Sequence, residues 1–314
     1  MLIVNPQAGL GLPVPPFMND LLGIHQKHHH HFRDRLKSVD EILRLLKARG
    51  LPVTVNITQA QGHATTLARQ CVADGYDLVI AAGGDGTVNE VINGLAGSDT
   101  AFGVIPMGTV NIFALQCGLP QETEAACDVL AAGHCGRIDL GYGNGRYFSC
   151  MAGIGFDAYV IQQTETHPQL KKKLGALAYL LMALWKVFRY PFQRIVIRLD
   201  DKGRKRRGYF VLVSNGKYYS GKKILAEQAD LTDGLLDVCV FHHRNLWGLF
   251  LYLAGLRPRE ALKDARLRTY QCRTVTVFKR GKHPVHVDAE LLGHTPVTFE
   301  IRPRALKVVL PQNP

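Results

Sequence analysis

The segment Leu78-Val-Ile-Ala-Ala-Gly83-Gly84-Asp85-Gly86-Thr87-Val88-Asn89-Glu90-Val91 decides how this chain reads. An apolar run of strand type ends in a glycine-rich turn and feeds a helical pattern over Asn89–Leu95. Without Cβ atoms at Gly83, Gly84 and Gly86 the backbone can come close to an anion. The helix start behind it offers unpaired N–H groups and a partial positive charge. Asp85 would repel a phosphate directly. Its natural role is to hold a Mg²⁺ ion, through water, that neutralises phosphate charge. A plain strand–turn–helix connection would use the same glycines for geometry alone, but the placement at a strand–helix junction favours phosphate binding. No GK[ST] follows, so this is not a Walker A loop, and the absence of GxGxxG excludes a dinucleotide fingerprint.

Two further loops share this layout. Phe102–Ile105 runs into Pro106-Met107-Gly108-Thr109-Val110-Asn111, and Leu2–Val4 runs into Asn5-Pro6-Gln7-Ala8-Gly9. Such loops line the carboxyl edge of a parallel sheet, where ligands bind in open α/β folds. Around them, strands at Val53–Ile57 and Leu78–Ala82 alternate with helical patterns at Val39–Leu46 and His63–Ala73, which predicts a parallel sheet covered by helices. The second half is strand-like at Arg146–Met151, Ile195–Asp200, Gly208–Ser214, Leu235–Phe241, Thr274–Lys279, Val285–Asp288 and Thr298–Ile301. Only the apolar stretches Leu174–Trp185 and Leu246–Leu256 read as helical there. This predicts a mostly antiparallel β-sandwich. The expected division is an α/β domain at 1–138, rejoined by about 303–314, and a β-rich domain at 139–302.

Composition excludes the extreme classes. Of 314 residues, 46% are hydrophobic and 20% charged, which rules out disordered, collagen-like and disulfide-stapled chains. The net charge of +12 is unevenly spread. Residues 1–140 hold 9 Lys/Arg against 13 Asp/Glu, and residues 141–314 hold 29 against 13. Seven scattered cysteines without a CxxC pair read as thiols in a reducing cytosol. Met1-Leu-Ile-Val-Asn-Pro reads as a strand rather than a leader, and no run reaches the ~18–20 apolar residues of a membrane span. The segment Leu10–Phe32, with its prolines and its run His28–His31, reads as a solvated loop.

These motifs together make the sequence resemble the diacylglycerol kinase catalytic-domain family, related to sphingosine and ceramide kinases. Asn5-Pro6 with Gly9, Gly83–Val91 and Pro106–Asn111 match its nucleotide loops in order. Gly153-Ile-Gly155-Phe156-Asp157, Asn215–Gly221 and Ala229–Val238 match later blocks, and Asp288-Ala289-Glu290 stands where the family has D-G-E. The resemblance implies ATP and Mg²⁺ as cofactors and phosphoryl transfer to a lipid hydroxyl in an interdomain cleft. It implies that Asn5, Pro6, Gly9, Thr58, Gly83, Gly84, Asp85, Gly86, Thr87, Glu90, Gly108, Thr109 and Asn111 bind nucleotide. Catalysis falls to Glu290 as general base and to Asp85. Asp85 and Asp139 would flank the catalytic Mg²⁺. A structural Mg²⁺ would take the Asp233 carboxylate with the carbonyls of Asp230 and Leu235, although a DG turn needs no metal. Two departures stand out. Ile112 replaces an aspartate common in bacterial members. Ala289 replaces glycine, a mild change where that backbone has negative φ.

Residues 171–210 carry 12 Lys/Arg and two acidic residues. Lys171–Lys173, the apolar Leu174–Trp185 and Lys202–Arg207 suit docking on the anionic inner face of a membrane. Leu174–Trp185 also fits a core helix, and no nucleic-acid-binding motif accompanies the basic run. The expectation is a cytoplasmic, peripherally membrane-associated lipid kinase. A homodimer is compatible with it. A soluble-substrate kinase of the NAD kinase type and a non-catalytic lipid-binding homologue, motivated by Ile112, remain as alternatives.

Overall fold

The computed structural model describes residues 1–6, 32–165, 190–201, 203–244, 247–253, 257–278 and 281–312. Gly9, the histidine run, Lys171–Lys173, Leu174–Trp185, Lys202 and Leu246 lie outside the described residues. The chain divides into two compact units, one holding described residues 1–6, 32–140 and 303–312, the other those of 141–302.

The first unit is built on parallel strands. β1 (Leu2–Val4) lies between β2 (Val55–Ile57) and β3 (Leu78–Gly83), and β3 pairs with β4 (Ala101–Pro106). The C-terminal part of the last strand, β18 (Val297–Val309), joins β4 through the parallel pair Val308 and Phe102. One face buries Leu2, Val4, Ile80 and Ala82 against α1 (Phe32–Ala48) and α5 (Thr123–Ala132), through Ile42, Leu46, Cys127 and Leu130. α2 (His63–Ala73) and α3 (Asp85–Leu95) pack on each other, and α3 lies on β3 and β4. A five-residue helix, α4 (Ile112–Gln116), follows the loop after β4.

The second unit is a two-sheet antiparallel sandwich. One sheet runs in the order β14 (Leu267–Cys272), β13 (Leu236–Phe241), β10 (Phe210–Ser214), β7 (Met151–Ile154), β16 (Pro284–Val287), β17 (Glu290–His294). The other joins the start of β18 to β15 (Thr274–Val277), β8 (Ile195–Leu199) and β9 (Lys205–Gly208). β5 (Cys135–Gly143), which carries Asp139, also pairs with β18, and β11 (Tyr218–Ser220) pairs with β12 (Lys223–Ile224). Alternate residues of both sheets fill the core: Ala152, Ile154, Val211, Val285 and Val287 from one, Ile195, Ile197, Val275 and Phe299 from the other. α6 (Phe156–Glu165) packs on β7, β16 and β17. The fold class expected from the alternation of patterns is the fold observed.

The helix expected at Asn89–Leu95 starts earlier, at Asp85, so that Gly86 and Thr87 lie in its first turn. Three further differences have a cause visible in the structure or the sequence. The strand expected at Arg146–Met151 is broken into β6 (Arg146–Phe148) and β7, because the amides of Ser149, Cys150 and Met151 all turn to one carboxylate, that of Asp288. The short strand expected at Thr298–Ile301 runs to Val309. Pro303 and charged Arg302 and Arg304 hide its continuation, and the left-handed Arg304 (φ 53°) is stabilised by the Asp139 carboxylate on its amide. α6 was masked in the sequence by its motif-like start, Gly155-Phe156-Asp157.

Close approach of α2 and α3 depends on Gly94. A Cβ there would lie 2.4 Å from the Ala68 Cβ and 2.8 Å from the Thr65 carbonyl oxygen. Gly94→Ala should therefore lower stability by about 1–3 kcal/mol through overpacking, despite the better helix propensity of alanine. Urea denaturation measures it, and a stabilised variant would contradict this packing.

Candidate functional site

In the first unit three strand ends converge through side chains and backbone alike. The Asn5 amide donates to the Thr87 hydroxyl at 3.0 Å, tying the loop after β1 to the first turn of α3. Gly83 leaves room for that threonine, since a Cβ would lie 2.7 Å from the Thr87 Cβ. The Met107 amide donates to the Gly83 carbonyl at 2.9 Å, which carries the β3–β4 pairing into the loops. Gly84 and Gly108 then meet backbone to backbone: a Cβ on Gly108 would lie 2.7 Å from the Gly84 Cα. The Asn111 side chain closes the second loop, accepting from the Gly108 amide and donating to the Gly108 carbonyl and to Gln121. Gly86 is exposed, and Thr58 and Thr109 are half-buried.

The acidic residues take distinct places. Asp85 opens α3, where a negative side chain is favoured, and its Oδ1 accepts from the Phe113 amide at 3.2 Å. Glu90 spends both carboxylate oxygens on the amides of Gly62 and Ala64, heading α2 in place of a capping side chain. Asp139 is 1% exposed and holds the Arg304 amide. Among the described residues, no three of His, Cys, Asp and Glu gather as a ligand set. A hard carboxylate such as Asp85 beside a phosphate-type loop still suits Mg²⁺, which takes one or two carboxylates together with substrate phosphates and water.

In the second unit the loop Asp230–Leu235 forms two local turns. Asp230 accepts from the amide and hydroxyl of Thr232, Asp233 from the amide of Leu235, and Gly234 is left-handed at φ 72°. These bonds support the DG-turn reading of the segment.

The turn between β16 and β17 is more constrained. Asp288 and Ala289 both have positive φ, 43° and 64°, as in a two-residue type I′ hairpin. The Asp288 carboxylate accepts four hydrogen bonds, from the amides of Ser149, Cys150 and Met151 and from the Ser149 hydroxyl. Burial nevertheless pushes its carboxyl above the usual range. Glu290 follows directly. Its Oε2 accepts from Arg146 Nη2 at 2.5 Å, a charge-assisted pairing that engages one carboxylate oxygen. Behind the turn, His286 pairs with Asp157 at 2.8 Å, and Tyr219 hydrogen-bonds the same aspartate. Sequence reading missed Arg146, Asp157, Tyr219 and His286 as a group. Asp157, inside the Gly153–Asp157 motif, and Tyr219, inside Asn215–Gly221, carried a signal; Arg146 and His286 carried none.

The positive φ at Ala289 overturns the condition under which its replacement of glycine would be mild. Left-handed alanine costs about 1–2 kcal/mol, offset by the roughly 0.5–1 kcal/mol that glycine loses in chain entropy. Ala289→Gly should thus raise stability by about 0.5–1 kcal/mol in chemical denaturation. A destabilised variant would contradict the turn geometry.

Comparison with known proteins completes the picture. A family model described as the diacylglycerol kinase catalytic domain matches residues 31–142. One described as the YegS C-terminal NAD kinase beta sandwich-like domain matches residues 150–310. The chain is 33% identical over 282 residues to a diacylglycerol kinase of Bacillus subtilis, covering 88% of this chain and 92% of that protein. It is 30% identical to one of Staphylococcus saprophyticus over 279 residues, 88% of this chain and 91% of the relative. A crystal structure of a diacylglycerol kinase from Bacillus anthracis superposes with a TM-score of 0.73 at 24% identity, covering 99% of this chain and 96% of that one. That last likeness establishes the fold.

Proposed function

The chain belongs to the diacylglycerol kinase catalytic-domain family, and from that premise we propose that it is a lipid kinase. It moves the γ-phosphate of ATP to a hydroxyl of diacylglycerol or a related membrane lipid. The observation that carries the reading is the Gly84–Gly108 approach, which leaves glycine backbone rather than side chains at the head of α3. Such a cradle is what the phosphates of a nucleotide need. Asn5, Thr87 and Asn111 brace the loops around it, and Asp85, held by the Phe113 amide, is the carboxylate that would hold a Mg²⁺ ion. Bound there, Mg²⁺ would neutralise phosphate charge. Asp139 and the Asp230–Leu235 loop, with Asp233 and the Asp230 and Leu235 carbonyls, are the further metal positions of this reading.

Glu290 is the general base. Its carboxylate takes the proton of the lipid hydroxyl as that oxygen bonds the γ-phosphorus, while the bond from phosphorus to the bridging β,γ-oxygen breaks and ADP leaves. Arg146 engages one oxygen of the carboxylate and aims it. Contact with an anionic, inner-face membrane surface is the task of the basic run. Lys205 and Arg207 are exposed on the edge strand β9, and Arg198 and Lys205 lie over the Phe278 ring at 5.5 and 4.9 Å. Among the described residues no helix is long and apolar enough to cross a membrane.

Glu290→Gln should lower kcat by about 100-fold or more with diacylglycerol in anionic mixed micelles. Asp85→Asn should abolish turnover while leaving the fold intact, because an amide oxygen can still accept from Phe113. Steady-state kinetics with circular dichroism check both. Near-parental turnover in Glu290→Gln would remove the base, and in Asp85→Asn the metal assignment.

A further inference from the structure

A buried His286 pairs with a half-buried Asp157 beside the turn that carries Glu290, and nothing in phosphoryl transfer itself calls for that pair. Its geometry is specific. His286 lies opposite Gly153 in the β7–β16 register, and a Cβ on Gly153 would come within 2.1 Å of the His286 Nε2 and 3.1 Å of the Asp157 Oδ2. The glycine of the Gly153–Asp157 motif therefore makes space for this ring. On the far side, the Ala289 amide donates to His286 Nδ1 at 3.3 Å. An imidazole that accepts at Nδ1 while neutral carries its hydrogen on Nε2, and Nε2 faces the Asp157 carboxylate at 2.8 Å. The Tyr219 hydroxyl hydrogen-bonds the same carboxylate.

We propose that His286 is a positioning residue for Glu290. Asp157 holds its ring in the Nε2–H form, and the ring's Nδ1 holds the left-handed Ala289 in the turn that aims the carboxylate. The turn needs such a hold. Asp288 anchors its first residue from the β6–β7 break, but Ala289 lacks the glycine that would adopt φ 64° without strain. Of the two left-handed residues, Asp288 is thus held through its own carboxylate by the Ser149–Met151 segment, and Ala289 through its amide by His286. Arg146 fixes the carboxylate only after the turn has delivered it. The inference rests on Glu290 acting as the base, but the hold on the turn can be read without turnover.

Two substitutions separate the halves of the ring. His286→Asn keeps an acceptor near the Nδ1 position and loses the reach to Asp157. His286→Gln keeps a group near Nε2 and loses the acceptor for Ala289. Crystal structures of both variants read the turn directly. The expected result is a preserved left-handed Ala289 and Arg146–Glu290 pair in His286→Asn, and loss of both in His286→Gln. Kinetics should follow: His286→Gln lowers kcat by about 10- to 100-fold with KM for ATP unchanged, as a misplaced base does. His286→Asn restores most of that loss. An unaltered turn in His286→Gln, or equal kcat losses in the two variants, would overturn the proposal. A parental protein without kinase activity would instead refute the kinase reading, and the two crystal structures would still decide whether His286 sets the turn.

Discussion

One carboxylate, that of Asp288, ties together the part of the second unit on which its chemistry depends. Its two oxygens collect three consecutive amides and a hydroxyl from the Ser149–Met151 segment. That demand ends β6, starts β7, and pins the β16–β17 hairpin to the break between them. A buried carboxylate without such partners would be costly, so the break in the strand and the charge in the turn stabilise each other. Glu290 inherits its position from this arrangement. The first unit follows a different principle, in which backbone approaches backbone at Gly84 and Gly108 and side-chain amides brace the loops.

Much of the architecture could be read from the chain alone, and the elements that escaped share a cause. β1, β3, β4, β10 and β13 are apolar runs, so burial and pattern agree. β14, Leu-Arg-Thr-Tyr-Gln-Cys, sits at a sheet edge, where polar residues are tolerated and the strand signal is lost. α5 is rich in alanine and short, so its apolar stripe is faint. β9 reads as a charge run because an exposed edge strand carries its cations outward.

The candidate site divides in the same way. The glycines and the Asn5 and Asn111 loops are local in sequence, so spacing reveals them. Arg146 and Glu290 are 144 positions apart, and Asp157 and His286 are 129 apart, so no local pattern joins them. The two departures from the family pattern also acquire physical meaning. Ile112 opens α4, and the Asp85 oxygen accepts from the backbone amide one residue further on. Ala289 places a strained residue immediately before the proposed base, which makes the surrounding hydrogen bonds responsible for its geometry.

The most direct measurement is transfer of the labelled γ-phosphate of ATP, with Mg²⁺, to a panel of hydroxyl lipids in anionic mixed micelles, with NAD as the soluble acceptor. The account predicts a phosphorylated lipid product and no labelled NAD. Label on NAD alone, or no labelled product from any acceptor while ATP still binds, would contradict it.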